Sequence, residues 1–178
     1  MKLYLNIDGV LLHTKEDKAA EHAAELIEYI TSEFDCYWLT THCKGDTEHA
    51  VKYLSEYFQK DIVEKLSKIK PTYWETLKTE AIDFDSNFIW LEDYPFQAEK
   101  EVLRNFAASE SLYTVDLNRD NALSNVLEYL KGIKAKRRKR RMVVLSIILT
   151  LILSIIVAKG VWMEVANRNI GDFATEKE

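Results

Sequence analysis

Six polar residues of the sequence are of the types that phosphoryl chemistry uses. They are Asn6, Asp8, Thr40, Lys78, Glu92 and Asp93. Carboxylate and carbonyl oxygens suit a hard cation such as Mg²⁺, while a hydroxyl and an ammonium group can hold phosphoryl oxygens as charge shifts between them. The set predicts a Mg²⁺-dependent site for a phosphorylated substrate or ligand, provided that the fold brings the six residues together.

The elements that would position these residues alternate between strands and helices. Short apolar runs predict strands over 2–7, 36–39, 87–91 and 112–115. Apolar residues at helical spacing predict helices over 18–32, 46–58, 62–69, 98–107 and 121–130. This alternation predicts an α/β fold, a Rossmann-like three-layer arrangement with a parallel sheet and helices on both faces. In such a sheet the ligand site lies beyond the carboxyl ends of the strands.

In this order the motifs resemble those of the haloacid dehalogenase (HAD) superfamily of phosphohydrolases. LYLNIDGVLL matches the first motif except at its first acid, YWLTTH matches the second, LKTEAID the third and FIWLEDYP the fourth. The resemblance covers residues 2–130 and is strongest to small capless HAD-like domains related to those of bacterial nucleic-acid repair proteins. It implies a HAD-like fold and a Mg²⁺-dependent phosphatase or hydrolase activity.

The resemblance also implies a catalytic role for each matching residue. Asn6 replaces the nucleophilic Asp, and because an amide is a far weaker nucleophile than a carboxylate, covalent catalysis should be lost. Asp8 stands where the family has its general acid/base, and Thr40 would bind a phosphoryl oxygen. Lys78 would neutralise the phosphoryl group, with Lys70 as a competing assignment.

The metal site implied by the resemblance consists of four residues. Asp93, with Glu92 beside it, would hold Mg²⁺, and Asp8 and the neutral carbonyl oxygen of Asn6 would complete a weaker site. Neither interval between the first three motifs is long enough for a sizeable lid, so the site would be open to bulky substrates and would exclude water poorly.

Two functions follow from these residues and remain open. The first is a slow Mg²⁺-dependent phosphohydrolase in which Asp8 activates water directly. The second is a catalytically inactive module that binds a phosphorylated ligand or a partner protein. The change at Asn6 favours the second function, and the otherwise retained set of motifs favours a recent or partial loss of the first.

Charge is divided unevenly along the chain. Residues 1–133 carry 14 basic and 25 acidic side chains, a net charge of −11, whereas seven of the eight residues over 134–141 are basic. A domain at −11 repels polyanions, so nucleic acid is a possible but disfavoured partner. The basic run could also serve nuclear localisation, but its place directly before an apolar segment favours a role in membrane topology.

The segment 142–163 predicts a transmembrane helix. Residues 142–158 contain no ionisable side chain, and Lys159 can extend its ammonium group to the interface so that the next residues complete the span. A buried core helix is the alternative, but only a short polar tail follows to surround it. The positive-inside rule then predicts a single-pass protein of the cell membrane, with a cytoplasmic α/β domain over 1–133.

The other predicted parts of the chain are the polybasic juxtamembrane segment, 134–141, and the polar tail, 164–178. Within the span, small residues recur every fourth position, at Ser146, Thr150, Ser154 and Ala158. They predict either a face for helix–helix self-association or small residues that face lipid. The hydroxyl groups of Ser146, Thr150 and Ser154 are expected to bond back to carbonyl groups of the same helix.

Overall fold

A computed structural model describes the backbone of residues 1–175 and the side chains of residues 1–152, 154–156 and 159. The chain divides into two compact units, Met1–Tyr129 and Leu130–Glu178. The strands are β1 (Lys2–Leu5), β2 (Leu12–His13), β3 (Lys18–Ala19), β4 (Asp35–Trp38), β5 (Phe88–Glu92) and β6 (Leu112–Thr114). The α-helices are α1 (Ala23–Glu33), α2 (Glu48–Leu54), α3 (Lys60–Leu66), α4 (Gln97–Asn105) and α5 (Ala122–Thr175). Two short 3₁₀ helices cover Lys78–Ala81 and Ser109–Ser111.

A four-stranded sheet in the order β4-β1-β5-β6 forms the centre of the first unit. All its pairings are parallel, and Leu5 at the end of β1 is in register with Trp38 on one side and Leu91 on the other. The predicted α/β class with a parallel sheet is therefore confirmed. Because these strands end at the same edge, the residues that follow β1, β4 and β5 are brought together.

The core explains why these segments form inner strands. Every residue of β5 is buried, as are Leu3, Tyr4 and Leu5 of β1, which is the continuous apolar pattern of a parallel sheet covered on both sides. Trp38 and Trp90 are fully buried within it. Helix α1 adds an apolar stripe to the same core through its residues Leu26, Ile27 and Ile30.

The predicted helix over 18–32 is wrong at its beginning. Residues 18 and 19 form β3, which pairs antiparallel with β2 in a small hairpin, and α1 begins at Ala23. Two-residue strands are too short to show the alternation that identifies a strand in a sequence. In addition, Asp17 and His22 adopt the left-handed backbone region, with φ of 48° and 64°, which interrupts a helix before Ala23.

The last predicted helix, the basic segment and the predicted span belong to one continuous helix, α5. No proline follows Pro95 in the sequence, so no strongly helix-breaking residue separates these segments. As predicted, Thr150 and Ser154 donate from their hydroxyl groups to the carbonyl groups of Ser146 and Leu151, at 2.9 and 2.8 Å.

A search of the described residues finds no helix with the length and apolar character needed to cross a membrane. The predicted span over 142–163 lies partly outside those residues, because the side chains of 153, 157, 158 and 160 onward are not described. The predicted small-residue face includes Ala158 and therefore also lies partly outside them.

Candidate functional site

Four of the six predicted site residues form one hydrogen-bonded network at the carboxyl edge of the sheet. The amide nitrogen of Asn6, the residue after β1, lies 2.8 Å from Glu92 Oε1 and 3.1 Å from Asp93 Oδ1, at the end of β5. The ammonium nitrogen of Lys78, the first residue of a 3₁₀ helix, lies 2.6 Å from Glu92 Oε2. The structure therefore brings four of the six predicted residues together in one cluster.

Asn6 lies at the centre of this network as a donor. Its side-chain nitrogen also donates to the backbone carbonyl oxygen of Asp8, at 2.9 Å, so three oxygens surround it. The residue is only 7% exposed. Since an amide nitrogen carries two hydrogens and no basic lone pair, this position holds a hydrogen-bond donor and not a nucleophile.

Glu92 is a buried carboxyl group with both oxygens bonded. It is 2% exposed, and burial raises its pKa to about 7, since desolvation outweighs the attraction of the Lys78 ammonium group and the neighbouring Asp93 adds to the rise. The cost of burying its charge is met only in part by its two donors. Whether Glu92 is ionised in the folded protein therefore depends on Lys78.

Glu99 fixes the position of Lys78. Glu99 was not among the residues predicted from the sequence to form the site. Its buried carboxylate accepts the backbone N–H groups of Lys78, at 3.0 Å, and of Phe96, at 2.8 Å. The second bond closes the first turn of α4, where a Glu at the third helical position is a known capping pattern. Phe96 is not one of the residues that usually mark a capping box, so the sequence did not signal this cap, and the bond to Lys78 depends on tertiary structure.

The two candidate lysines lie at different places in the sheet. Lys70 lies beside Tyr37, in β4, and pairs with Asp35 at 2.7 Å. Asp35 begins β4, whereas the acids of the network lie at the carboxyl end of β5. Lys78 is the lysine that contacts the network.

Asp8 and Thr40 connect to His42, a second residue that the sequence analysis did not place in the site. Asp8 Oδ2 lies 2.8 Å from His42 Nε2, and the imidazole ring stacks on Tyr53 at 4.3 Å between centroids. Thr40 is fully buried, and its hydroxyl oxygen accepts the backbone N–H of His42 at 3.4 Å. Thr40 therefore positions the loop after β4 in this structure.

A cleft of about 460 Å³ adjoins the network. Its walls are the turn of the β2–β3 hairpin, residues 13–16, and the chain after β6, residues 114–119. Gly9 and Asp93 form the part nearest the network. Its lining is mixed in charge, because Lys15 and Arg119 face the same space as three carboxylates, those of Glu16, Asp93 and Asp116.

Comparisons with known proteins were made at the level of families, sequences and structures. No family model, curated protein or solved structure matches this chain.

The four residues predicted to hold Mg²⁺ do not fit the ion as they are arranged. Asn6 directs its nitrogen, not its carbonyl oxygen, at Glu92 and Asp93. Both oxygens of Glu92 are bonded, and the Asp8 carboxylate pairs with His42. In the part of the chain that the structure describes, no group of three or more His, Cys, Asp and Glu side chains is arranged to hold a metal ion.

Proposed function

We propose that the first unit is a HAD-like domain that does not hydrolyse phosphoesters and acts as a binding module. The order of the four sequence motifs and the parallel sheet that joins them at one edge support the HAD-like assignment. The observation that carries the loss of activity is the orientation of Asn6, whose amide donates to Glu92 and Asp93. A group that is neither anionic nor free cannot attack phosphorus to form an acyl phosphate.

A partner protein is favoured over a free phosphoester as the ligand of this module. The cleft beside the network would bring the anionic oxygens of a phosphoester close to Asp93 and Asp116, and Arg119 already pairs with Asp116 at 3.1 Å. The domain as a whole is also strongly acidic, which opposes the approach of anions. A protein surface with both signs of charge matches such a lining better.

Phosphate release from p-nitrophenyl phosphate tests the loss of activity. With the full chain in mild detergent and Mg²⁺, we expect the wild type to stay near the background rate. Asn6→Asp restores a carboxylate nucleophile and should raise turnover about tenfold or more. Asn87→Asp makes the same chemical change at an exposed position before β5 and should leave the rate at background. A wild-type rate clearly above background would contradict the proposal.

Slow hydrolysis without a covalent intermediate is the second candidate function, and the contact of Asp8 with His42 favours it. A His held by a carboxylate is a common general base for activating water. In that case the wild type should release phosphate above background. Both Asp8→Asn and His42→Gln should then abolish this release.

We also propose that residues 142–163 anchor the module in a membrane, with the first unit in the cytoplasm. Support comes from the uncharged residues 142–158 and the basic residues before them. After expression in cells, the full chain should stay with the membrane pellet during alkaline carbonate extraction. A chain that ends after Arg141 should appear in the supernatant. Release of the full chain by carbonate would contradict the anchor.

A further inference from the structure

We infer that the amide of Asn6 and the ammonium group of Lys78 together replace a divalent cation, so that this acidic site is complete without metal. The inference deepens the proposed function and rests on it, since it states what stands in place of the cofactor in the same site.

The first support is the place of the Asn6 nitrogen. It is surrounded by the carbonyl oxygen of Asp8 at 2.9 Å, Glu92 Oε1 at 2.8 Å and Asp93 Oδ1 at 3.1 Å. Oxygens that converge on one point are what a hard cation requires, at about 2.0–2.1 Å for Mg²⁺. Here the point is taken by a nitrogen whose two hydrogens serve the same oxygens, so an entering ion would have to displace it.

The second support is the balance of charge. Glu92 and Asp93 bring at most two negative charges to the network, and Lys78, whose side chain is 14% exposed, supplies one positive charge at 2.6 Å from Glu92. An Asp at position 6 would add a third carboxylate at the same point. Repulsion among three carboxylates would then require a cation of higher charge than one lysine provides. With Asn6 that requirement does not arise.

The third support is that the substitute charge is held in place. Glu99 accepts the backbone N–H of Lys78 at 3.0 Å and is itself 2% exposed. The Lys78 ammonium group therefore reaches Glu92 from an anchored backbone, not from a mobile loop end. This is the anchoring that a permanent counter-ion needs.

Thermal unfolding of the full chain tests the inference. The chain is first freed of metal with a chelator and is then given 10 mM Mg²⁺, which is about a hundredfold above the Kd of a weak site. We expect no change in the wild-type Tm. Asn6→Asp should have a lower Tm than the wild type without metal and should gain about 5 °C or more with Mg²⁺. Asn87→Asp, the matched control, should show no gain.

If Asn6→Asp does not fold, the wild-type Tm with and without Mg²⁺ still tests the inference. A saturable rise of the wild-type Tm with Mg²⁺ would overturn the inference, whereas indifference of the wild type supports it. An Asn6→Asp chain that folds and ignores Mg²⁺ would also overturn it. Phosphate release by a wild type that ignores Mg²⁺ would contradict the proposed function and leave this inference standing, so the two failures are distinguishable.

Discussion

Lys78→Met should lower the free energy of unfolding by about 3–5 kcal/mol at pH 8 and by about 1 kcal/mol at pH 5. Among the described residues, the ammonium group of Lys78 is the one cationic partner of the buried Glu92 carboxyl group, 2.6 Å away. At pH 8 the variant must either bury an unpaired carboxylate or protonate it against the solution pH. At pH 5 the carboxyl group is largely protonated in the folded state, so less is lost.

The sign of this pH dependence follows from the raised pKa of Glu92. With a pKa of about 7 in the folded state and about 4.5 in the unfolded state, the folded protein holds the proton over the range between them. Its contribution to stability is therefore present at low pH and is lost as the pH rises through about 7. Without Lys78 the folded-state pKa rises further, and the deficit grows as the pH increases.

Urea unfolding followed by the fluorescence of the buried Trp38 and Trp90 measures this effect. The control is Lys70→Met, which also removes a lysine with a carboxylate partner, Asp35, at 2.7 Å. Because that pair is more than 40% exposed on both side chains, its loss should cost no more than about 1 kcal/mol at either pH. Equal losses for the two variants would refute the assigned role of Lys78.

The sequence predicted the sheet because its inner strands are continuous apolar runs, a pattern that depends on local composition alone. It also predicted which polar residues meet, since parallel strands must end at one edge. It did not predict how they meet. The orientation of the Asn6 amide is set by acids 86 and 87 positions away in the chain, and no local pattern contains that information.

Two other differences have the same physical origin. His42 follows a recognised strand end, but its pairing with Asp8 depends on how two loops pack side by side. The β2–β3 hairpin was missed because each strand has only two residues and its turn contains neither Gly nor Pro, which are the residues that usually mark a reversal. Sequence patterns therefore predicted which residues lie close together but not the hydrogen bonds between them.

Gly9→Ala should destabilise the domain by about 3–5 kcal/mol, for two reasons that act at one position. Gly9 has φ of 73°, in the left-handed region, and an added Cβ would collide with the carboxylate of Asp93. The turn cannot simply move away, because the Gly9 N–H donates to the carbonyl of Leu12 at 2.9 Å. Displacing Asp93 would also remove an acceptor from Asn6.

Gly45→Ala separates the two causes of this loss. Gly45 has φ of 82°, but the nearest atom to an added Cβ is a ring carbon of Tyr73 at 3.9 Å, an ordinary contact. It should therefore lose only the backbone strain of about 1–2 kcal/mol in the same urea unfolding experiment. The excess loss in Gly9→Ala then measures how closely Asp93 packs on the turn after β1. Equal losses in the two variants would mean that Asp93 does not pack closely on Gly9. That result would contradict the compact arrangement of Asp93 and Asn6 from which the exclusion of a metal ion is inferred.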